Sequence, residues 1–207
     1  MSEPVYVIGF GGGSASGKSL LARWLHARLP DTSALLELDR YYQGPDDIPP
    51  ALAGNYDHPG CLQGERFCRD VAALRAGQAV EVPRYDFTTH QPCGTEPFPP
   101  RPVLILDGVL LFALPGLRAL IDLAVFVDAP ADLRLARRLQ RDVGERGRSA
   151  ASVHAQFTST VEPMHAHYVQ PYAASADLVV SNTGTTEAAI ESLRCQLREK
   201  ASVRLAF

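Results

Sequence analysis

Apolar residues along this chain change their spacing in a regular way, and the change predicts strands followed by helices. Residues 5–10 form a short apolar run rich in β-branched side chains, which predicts a buried strand. Between residues 20 and 29 the apolar positions recur every three or four residues, which predicts an amphipathic helix. Further strands are predicted over 34–38, 103–106, 123–127 and 178–181. The pattern therefore indicates strands alternating with helices.

The remaining segments complete a single predicted domain spanning 1–207. The stretch 80–87 alternates but contains Pro83, which favours an edge strand or a hairpin, and 88–102 is predicted to be irregular because it contains five prolines. Further helices are predicted over 65–76, 131–143, 149–168 (kinked or broken at Pro163) and 185–200. Alternating strands and helices predict an α/β fold, a doubly wound parallel sheet with helices on both faces.

The turn between the first strand and the first helix carries a specific motif. From Gly12 the sequence follows G-x-x-x-x-G-K-S, the Walker A pattern of a phosphate-binding loop. In such a loop the backbone N–H groups and the helix terminus bind phosphate oxygens, while Lys18 reaches the terminal phosphates and the Ser19 hydroxyl binds Mg²⁺. The alternative is a glycine-rich turn that matches by accident. We predict ATP binding through Gly12, Gly13, Ser14, Ala15, Ser16, Gly17, Lys18 and Ser19.

Composition limits the classes of partner. The chain is 46% hydrophobic with a formal net charge of −3, which is ordinary for a globular protein and argues against bulk nucleic-acid binding. It has no apolar stretch long enough to span a membrane, and its N-terminus does not resemble a signal peptide. The four cysteines lack zinc-site spacing. We therefore expect a cytoplasmic protein without nucleic-acid or membrane partners, and with no metal except Mg²⁺.

Two aspartates follow predicted strands, at the rim where ligands bind in such sheets. Asp107 ends an apolar run in the manner of a Walker B carboxylate, so it could hold Mg²⁺ directly or through water. Asp39 ends the second strand and is the candidate base that activates the nucleophile, with a further contact to Mg²⁺. For each aspartate the alternative is a turn or cap residue.

Arginines are concentrated between residues 134 and 148, and aromatic residues in two loop tracts. A helix followed by a glycine-flanked Arg-x-Arg suits a lid over 131–150 that closes on a triphosphate. The alternative is a solvated helix face. The tracts 56–58 and 84–90 mix aromatic, acidic and histidine side chains, which could either enclose a base or cover the core.

With these blocks identified, the chain resembles the uridine kinase (uridine–cytidine kinase) family of P-loop kinases. The resemblance rests on motifs that run nearly from end to end. They are Gly-Gly-Ser-Ala-Ser-Gly-Lys-Ser at 12–19, Asp-Arg-Tyr-Tyr at 39–42, Asn-Tyr-Asp-His-Pro at 55–59, Pro-Arg-Tyr-Asp-Phe-Thr-Thr-His at 83–90, Asp-Gly-Val-Leu at 107–110, the arginine-rich block at 137–148 and Val-Glu-Pro-Met-His at 161–165.

The resemblance implies ATP- and Mg²⁺-dependent phosphorylation of the 5′-hydroxyl of uridine and cytidine, in pyrimidine salvage, by a homo-oligomer that is commonly a tetramer. It implies that Asp39 is the base, that Asp57 binds the ribose hydroxyls, and that Arg141 and Arg146 bind ATP phosphates with Lys18. The other implied nucleoside contacts lie on an insertion at about 42–102 and on the lid. By this resemblance, Tyr42 lies beside Asp39, and Arg138 and Gln156 contact the ribose. Around the base are Tyr56, Tyr85 and Phe87, with His90 and Arg148 at its edge.

The chain departs from the family pattern in three places. Asp107 stands where Glu is usual, which alters the expected Mg²⁺ shell, while residues 59–62 lack the usual acids and Tyr56 replaces the common Phe. Two alternatives stay open. One is another kinase of the superfamily, similar to phosphoribulokinase or pantothenate kinase. The other is a non-catalytic nucleotide-binding regulatory module.

Overall fold

A five-stranded parallel sheet forms the centre of the protein, a computed structural model of which describes residues 4–201. The described residues form seven strands: β1 (Tyr6–Gly11), β2 (Ser33–Glu37), β3 (Val80–Asp86), β4 (Gln91–Phe98), β5 (Val103–Asp107), β6 (Leu123–Asp128) and β7 (Leu178–Ser181). The central sheet has the order β2-β5-β1-β6-β7, and each neighbouring pair is parallel. The predicted parallel sheet is confirmed.

Helices cover both faces of the sheet, as predicted. They are α1 (Lys18–His26), α2 (Gly64–Arg75), α3 (Ala131–Gly144), α4 (Ala150–Gln156), α5 (Glu162–Tyr168) and α6 (Thr186–Ala201). Successive strand side chains point to opposite faces, so Val7 and Ile8 belong to different cores. Ile8 lies in the core that includes apolar residues of α1 and α6, and Val7 lies in the core that includes those of α2. No helix within residues 4–201 is long and apolar enough to cross a membrane.

The register of the sheet positions the functional rim. β1 is the central strand, with Phe10 beside Asp107 on one side and Gly11 beside Phe126 on the other. On the far side of β5, Asp107 pairs with Glu37. Because all these strands run in the same direction, the loop that follows β1 begins in the middle of the rim, next to the end of β5.

One segment of the prediction was wrong. Residues 91–98 form strand β4, which pairs antiparallel with β3, whereas the prolines of 88–102 had predicted irregular structure. The pair is a separate two-stranded sheet, so each strand has a free edge. Proline lacks an N–H but is tolerated on an edge strand, where that position needs no ladder partner. Pro92 and Pro97 therefore fit in a hairpin.

The helix predicted over 149–168 is not broken at Pro163, but it changes its helix type ahead of that proline. α4 passes into a π-helical turn over Phe157–Val161, and α5 follows it with Pro163 in its first turn. Proline has no N–H to donate to the preceding turn, and its ring crowds that turn. A widened turn ahead of it accommodates both effects, so the helical path continues without a break.

Candidate active site

The phosphate-binding loop between β1 and α1 is held in shape by close backbone packing. Gly12 has a φ of +140°, and a Cβ there would lie 2.3 Å from the Val127 carbonyl oxygen. Gly17 has a φ of +98°, and its Cβ would lie 2.3 Å from Nδ2 of Asn182. Ala15 also adopts a left-handed conformation, with a φ of +62°. Glycine is thus required at both ends of the loop, because a side chain would collide with the residues that support it.

Asn182, which the sequence prediction missed, braces this loop from the end of β7. Its side chain is 6% exposed, and its Nδ2 donates a 2.7 Å hydrogen bond to the Ser16 carbonyl oxygen. Its backbone N–H donates to the carbonyl of Asp128, and its Oδ1 accepts from Arg137 at 3.3 Å. A polar residue directly after the last strand was the available signal, because that strand ends at the same rim.

A second buried group supports the loop behind Gly13. A Cβ at Gly13 would lie 2.8 Å from the His165 ring and 2.9 Å from Cδ of Arg134. Arg134 donates to the Ala129 carbonyl at 3.0 Å and to Glu162 at 2.7 Å. Burial and the neighbouring guanidinium lower the pKa of His165 to about 4. His165 is therefore neutral near pH 7 and packs against the loop as a small aromatic group.

The buried arginines alter the picture of the predicted lid. Arg134 and Arg138 are 2% and 7% exposed, and their side chains contact the phosphate-binding loop instead of solvent. Nη1 of Arg138 donates a 2.8 Å hydrogen bond to the Ser14 hydroxyl. The alternative of a solvated helix face is therefore wrong for these two arginines. Arg146, with its side chain 57% exposed, is the more open member of the group.

The acidic side of the rim places Asp107 and Asp39 near Lys18. Asp107 is 5% exposed. Asp39 lies in a short 3₁₀ helix, Leu38–Tyr41, and solvent can still reach its side chain. The protein surrounding Asp39 nevertheless raises the pKa of its carboxyl through desolvation, while the charge of Lys18 lowers it and that of Asp107 raises it. The carboxylate of Asp39 therefore interacts electrostatically with both Lys18 and Asp107.

The donor set at this rim fits Mg²⁺ bound together with phosphates. Oδ1 of Asp107 is buried and has no hydrogen-bond partner among residues 4–201, which is unfavourable for a carboxylate serving only as a turn residue. Ser19 lies in the first turn of α1, where its hydroxyl is a second oxygen donor. No cluster of three or more His, Cys, Asp or Glu side chains that could hold an ion occurs in the described chain. Mg²⁺ commonly takes one or two protein oxygens and completes its octahedron with water and phosphate.

The aromatic residues assigned to the nucleoside by resemblance form one continuous cluster. The rings of Tyr42 and Tyr56 are 5.6 Å apart, and those of Tyr42 and Tyr85 are 5.8 Å apart. Phe87 packs on Tyr85 at 5.1 Å, and His90 stacks on Tyr56 at 5.0 Å with an interplanar angle of 23°. The loop around Tyr56 and the β3–β4 hairpin thus meet at their aromatic side chains.

Desolvation raises the pKa of Tyr85 to about 12 and that of Tyr42 well above its ordinary value, so these two phenols stay neutral. The cluster also has an open side, because Phe87 is 57% exposed. His90 has a φ of +56°, a left-handed conformation that is uncommon for a residue with a side chain.

The polar residues assigned to the ribose connect the aromatic cluster to the lid. Desolvation raises the pKa of Asp57, and the positive charge of Arg138 opposes the rise. Oε1 of Gln156 accepts hydrogen bonds from Arg138 at 2.9 Å and from Arg148 at 2.7 Å. Arg138 therefore lies between a phosphate-loop hydroxyl and the predicted nucleoside side.

Asp142 is a further residue that the sequence prediction missed. It is fully buried at the end of α3, and four arginines form ion pairs with its carboxylate: Arg138, Arg141, Arg146 and Arg148. Its position directly after Arg141 gave no signal of this role, because an acid beside a base is common on solvated helices. Arg141 and Arg146, assigned to ATP phosphates by resemblance, thus both contact Asp142.

Comparisons with known proteins agree with this geometry. Residues 7–189 match the model of the Phosphoribulokinase / Uridine kinase family. A uridine kinase from Shewanella pealeana is 38% identical over 205 residues, covering 95% of this chain and 97% of the relative. A uridine kinase from Chloroflexus aggregans is 41% identical over 189 residues, covering 89% of this chain and 90% of the relative.

Solved structures support the fold alone. Phosphoribulokinase from Rhodobacter spheroides superposes with a TM-score of 0.65 at 15% identity, covering 91% of this chain and 75% of that one. D-glycerate 3-kinase from Cryptococcus neoformans gives a TM-score of 0.60 at 16% identity, covering 87% and 88%. The family match and the similarity to curated relatives over nearly the whole chain together establish that this protein belongs to the Phosphoribulokinase / Uridine kinase family of P-loop kinases.

Proposed function

We propose that this protein transfers the γ-phosphoryl group of ATP to the 5′-hydroxyl of uridine and of cytidine. The observation that carries the proposal is the position of Asp39. Its charge interacts with Lys18 and Asp107 at the phosphate-binding loop and with Tyr42 in the aromatic cluster. A carboxylate between a triphosphate site and an acceptor site is suitably placed to accept the proton of the attacking hydroxyl.

The residues of the phosphate-binding loop supply positioning and charge stabilisation. Backbone N–H groups of residues 12–17 and the start of α1 bind phosphate oxygens, while Lys18 neutralises charge on the group being transferred. Mg²⁺, held by Ser19 and Asp107 with a contribution from Asp39, supplies further positive charge when bound. Arg141 and Arg146 approach the phosphates from the lid. Each of these roles stabilises charge that spreads over the phosphoryl oxygens in the transition state.

The acceptor side favours a nucleoside over a small sugar phosphate. A base has two apolar faces, and the cluster of Tyr42, Tyr56, Tyr85 and Phe87 offers rings of matching size. Asp57 offers a carboxylate to the ribose hydroxyls, whereas it would repel a phosphate ester at that position. The names of the curated relatives support the same choice. Pyrimidine salvage and a homo-oligomeric state are further parts of the proposal that rest on the family resemblance.

The test is a coupled ADP-release assay with Mg²⁺-ATP and a panel of acceptors. We expect uridine and cytidine to be turned over, and ribulose 5-phosphate and pantothenate to give rates at the background level. Product analysis should identify the 5′-monophosphate. A preference for either non-nucleoside acceptor would contradict the proposal. ATP binding without transfer to any acceptor would instead favour a regulatory module.

A further inference from the structure

The Asp142 carboxylate divides four arginines between its two oxygens. Oδ1 accepts from Nε of Arg141 at 2.8 Å and lies 3.3 Å from Nη1 of Arg146. Oδ2 lies 3.5 Å from Nε of Arg138 and 3.5 Å from Nη1 of Arg148. One buried carboxylate therefore touches the pair of arginines assigned to ATP phosphates through one oxygen and the pair assigned to the nucleoside through the other.

The two sides of the carboxylate are not equally well bonded. On Oδ1 the contact to Arg141 is a short, charge-assisted hydrogen bond. On Oδ2 neither the carboxylate oxygen nor Nε of Arg138 has a hydrogen-bond partner among the described residues, so the attraction there is through space. Desolvation lowers the pKa of Arg138, the carboxylates of Asp57 and Asp142 oppose that shift, and the charges of Arg141 and Arg148 add to it. Arg138 is bonded instead to Ser14 and Gln156, and Arg148 to Gln156 and Ser152, so both are held mainly by neutral partners. Their pairing with Asp142 is therefore the weaker of its two sides.

We propose that Asp142 is a positioning residue through which binding of ATP and binding of the nucleoside strengthen each other. The inference rests on the proposed function, since it uses the assignment of the two arginine pairs to the two substrates. The triphosphate attracts Arg141 and Arg146. This reduces the electrostatic repulsion between their guanidinium groups and those of the pair assigned to the nucleoside. Arg138 and Arg148, which are already bonded to Gln156, then pair more closely with Asp142, which fixes them for contact with the nucleoside.

A purely structural role for Asp142 predicts a different result. If the carboxylate only neutralised the arginines, its loss would lower stability or weaken both substrates. It would leave unchanged the factor by which one substrate alters the affinity for the other. The logarithm of that factor gives the coupling free energy between the two sites. The factor by which ATP changes uridine affinity must equal the factor by which uridine changes ATP affinity. Measuring this factor therefore distinguishes a coupling role of Asp142 from a purely structural one.

The experiment is titration calorimetry on the full chain with uridine, with and without saturating Mg²⁺ and a non-hydrolysable ATP analogue. We expect the analogue to tighten uridine binding about fivefold or more, the lower end of typical couplings, and uridine to tighten analogue binding by the same factor. In Asp142→Asn the factor should fall to about one. Glu145→Gln removes the same charge from an exposed position of the same segment and should keep the parent factor.

A second variant covers the case in which Asp142→Asn does not fold. Arg146→Gln removes a contact to Oδ1 at a side chain that is 57% exposed, so it should fold, bind uridine alone more tightly than the parent does, and show a reduced factor. A parent factor of one or below, or a parent-like factor in the variants that fold, would overturn the inference alone. Failure of the parent chain to bind uridine at all would overturn the proposed function, and the inference with it.

Discussion

The two halves of the site are built in different ways. The phosphate side uses backbone and buried braces: Ser16 is fully buried and its carbonyl is bonded by Asn182, while Gly12 and Gly17 leave no space for a side chain. The acceptor side uses side chains on loops and on a hairpin outside the main sheet, and Phe87 is largely exposed. The comparison indicates that changes on the phosphate side alter geometry, whereas changes on the acceptor side alter which molecule is accepted.

The largest effect is expected where the halves meet. Asp39→Asn keeps the shape of the side chain but removes the proton acceptor, so kcat should fall about 10²- to 10⁴-fold with little change in uridine affinity. Lys18→Ala should instead weaken ATP binding as well as turnover, since it removes a cation from the phosphates. Steady-state kinetics and nucleotide-binding titrations distinguish the two.

The matched control for this pair is Asp46→Asn, an exposed acid on the loop after Tyr42, which should behave as the parent. A normal kcat in Asp39→Asn would remove Asp39 from the role of base. An equal loss of ATP affinity in Asp39→Asn and Lys18→Ala would show that Asp39 contributes to ATP binding and belongs to the phosphate half.

Discrimination against deoxynucleosides should be the next largest effect and belongs to the acceptor half. A deoxynucleoside leaves the Asp57 carboxylate short of one donor, and desolvation at this position makes the missing bond costly. Because Asp57 is half-buried rather than sealed, we expect kcat/KM for deoxyuridine to be about 10- to 100-fold below that for uridine.

Asp57→Ala should remove most of that gap, mainly by reducing activity on uridine. Comparison of kcat/KM for both nucleosides in the parent and in the variant measures the change. Persistence of the full gap in Asp57→Ala would show that ribose selection resides elsewhere.

Within the phosphate half, the local motifs could be predicted from the sequence, but a long-range supporting contact could not. The phosphate loop, Lys18 and Asp107 follow from local patterns, because a strand, a glycine turn and a helix with the correct residues specify the loop by themselves. Asn182 could not be paired with the loop, since it bonds Ser16 across 166 positions of the chain. Its contact exists only after the strand order of the sheet is fixed.

Asp142 and strand β4 were missed for other reasons. An acid near four arginines has the same sequence pattern whether it is solvated or buried, and only packing of α3 against the phosphate loop decides between these states. For β4, the five prolines of residues 88–102 predicted irregular structure, but prolines argue only against an internal strand. The two-stranded hairpin has free edges, so that argument does not apply to it.

A smaller effect should follow from loosening the brace of the phosphate half. Asn182→Ala removes the hydrogen bond to Ser16 and leaves that carbonyl with less support, which typically costs about 1 kcal/mol. We expect ATP affinity to fall about five- to tenfold while uridine affinity stays at the parent value. Thr183→Ala, at the exposed next position, serves as the control for general effects on this loop. A change confined to uridine binding would contradict the division between the two halves.

The smallest expected effect concerns the choice between uracil and cytosine, and it depends on His90. The ring stacks on Tyr56 from a left-handed backbone position, a conformation that is often retained for a functional reason. Uracil offers an acceptor at its 4-position and cytosine offers a donor, and neutral imidazole can meet either by changing tautomer. We therefore expect kcat/KM for the two nucleosides to agree within about tenfold, a difference of about 1.4 kcal/mol.

His90→Tyr keeps an aromatic ring but removes the choice of tautomer, so it should shift the ratio toward one nucleoside. His90→Ala should lower both efficiencies, because it removes the ring that stacks on Tyr56. Unchanged efficiencies in His90→Ala would mean that His90 only packs against the loop, and that selection between the bases lies with the lid arginines.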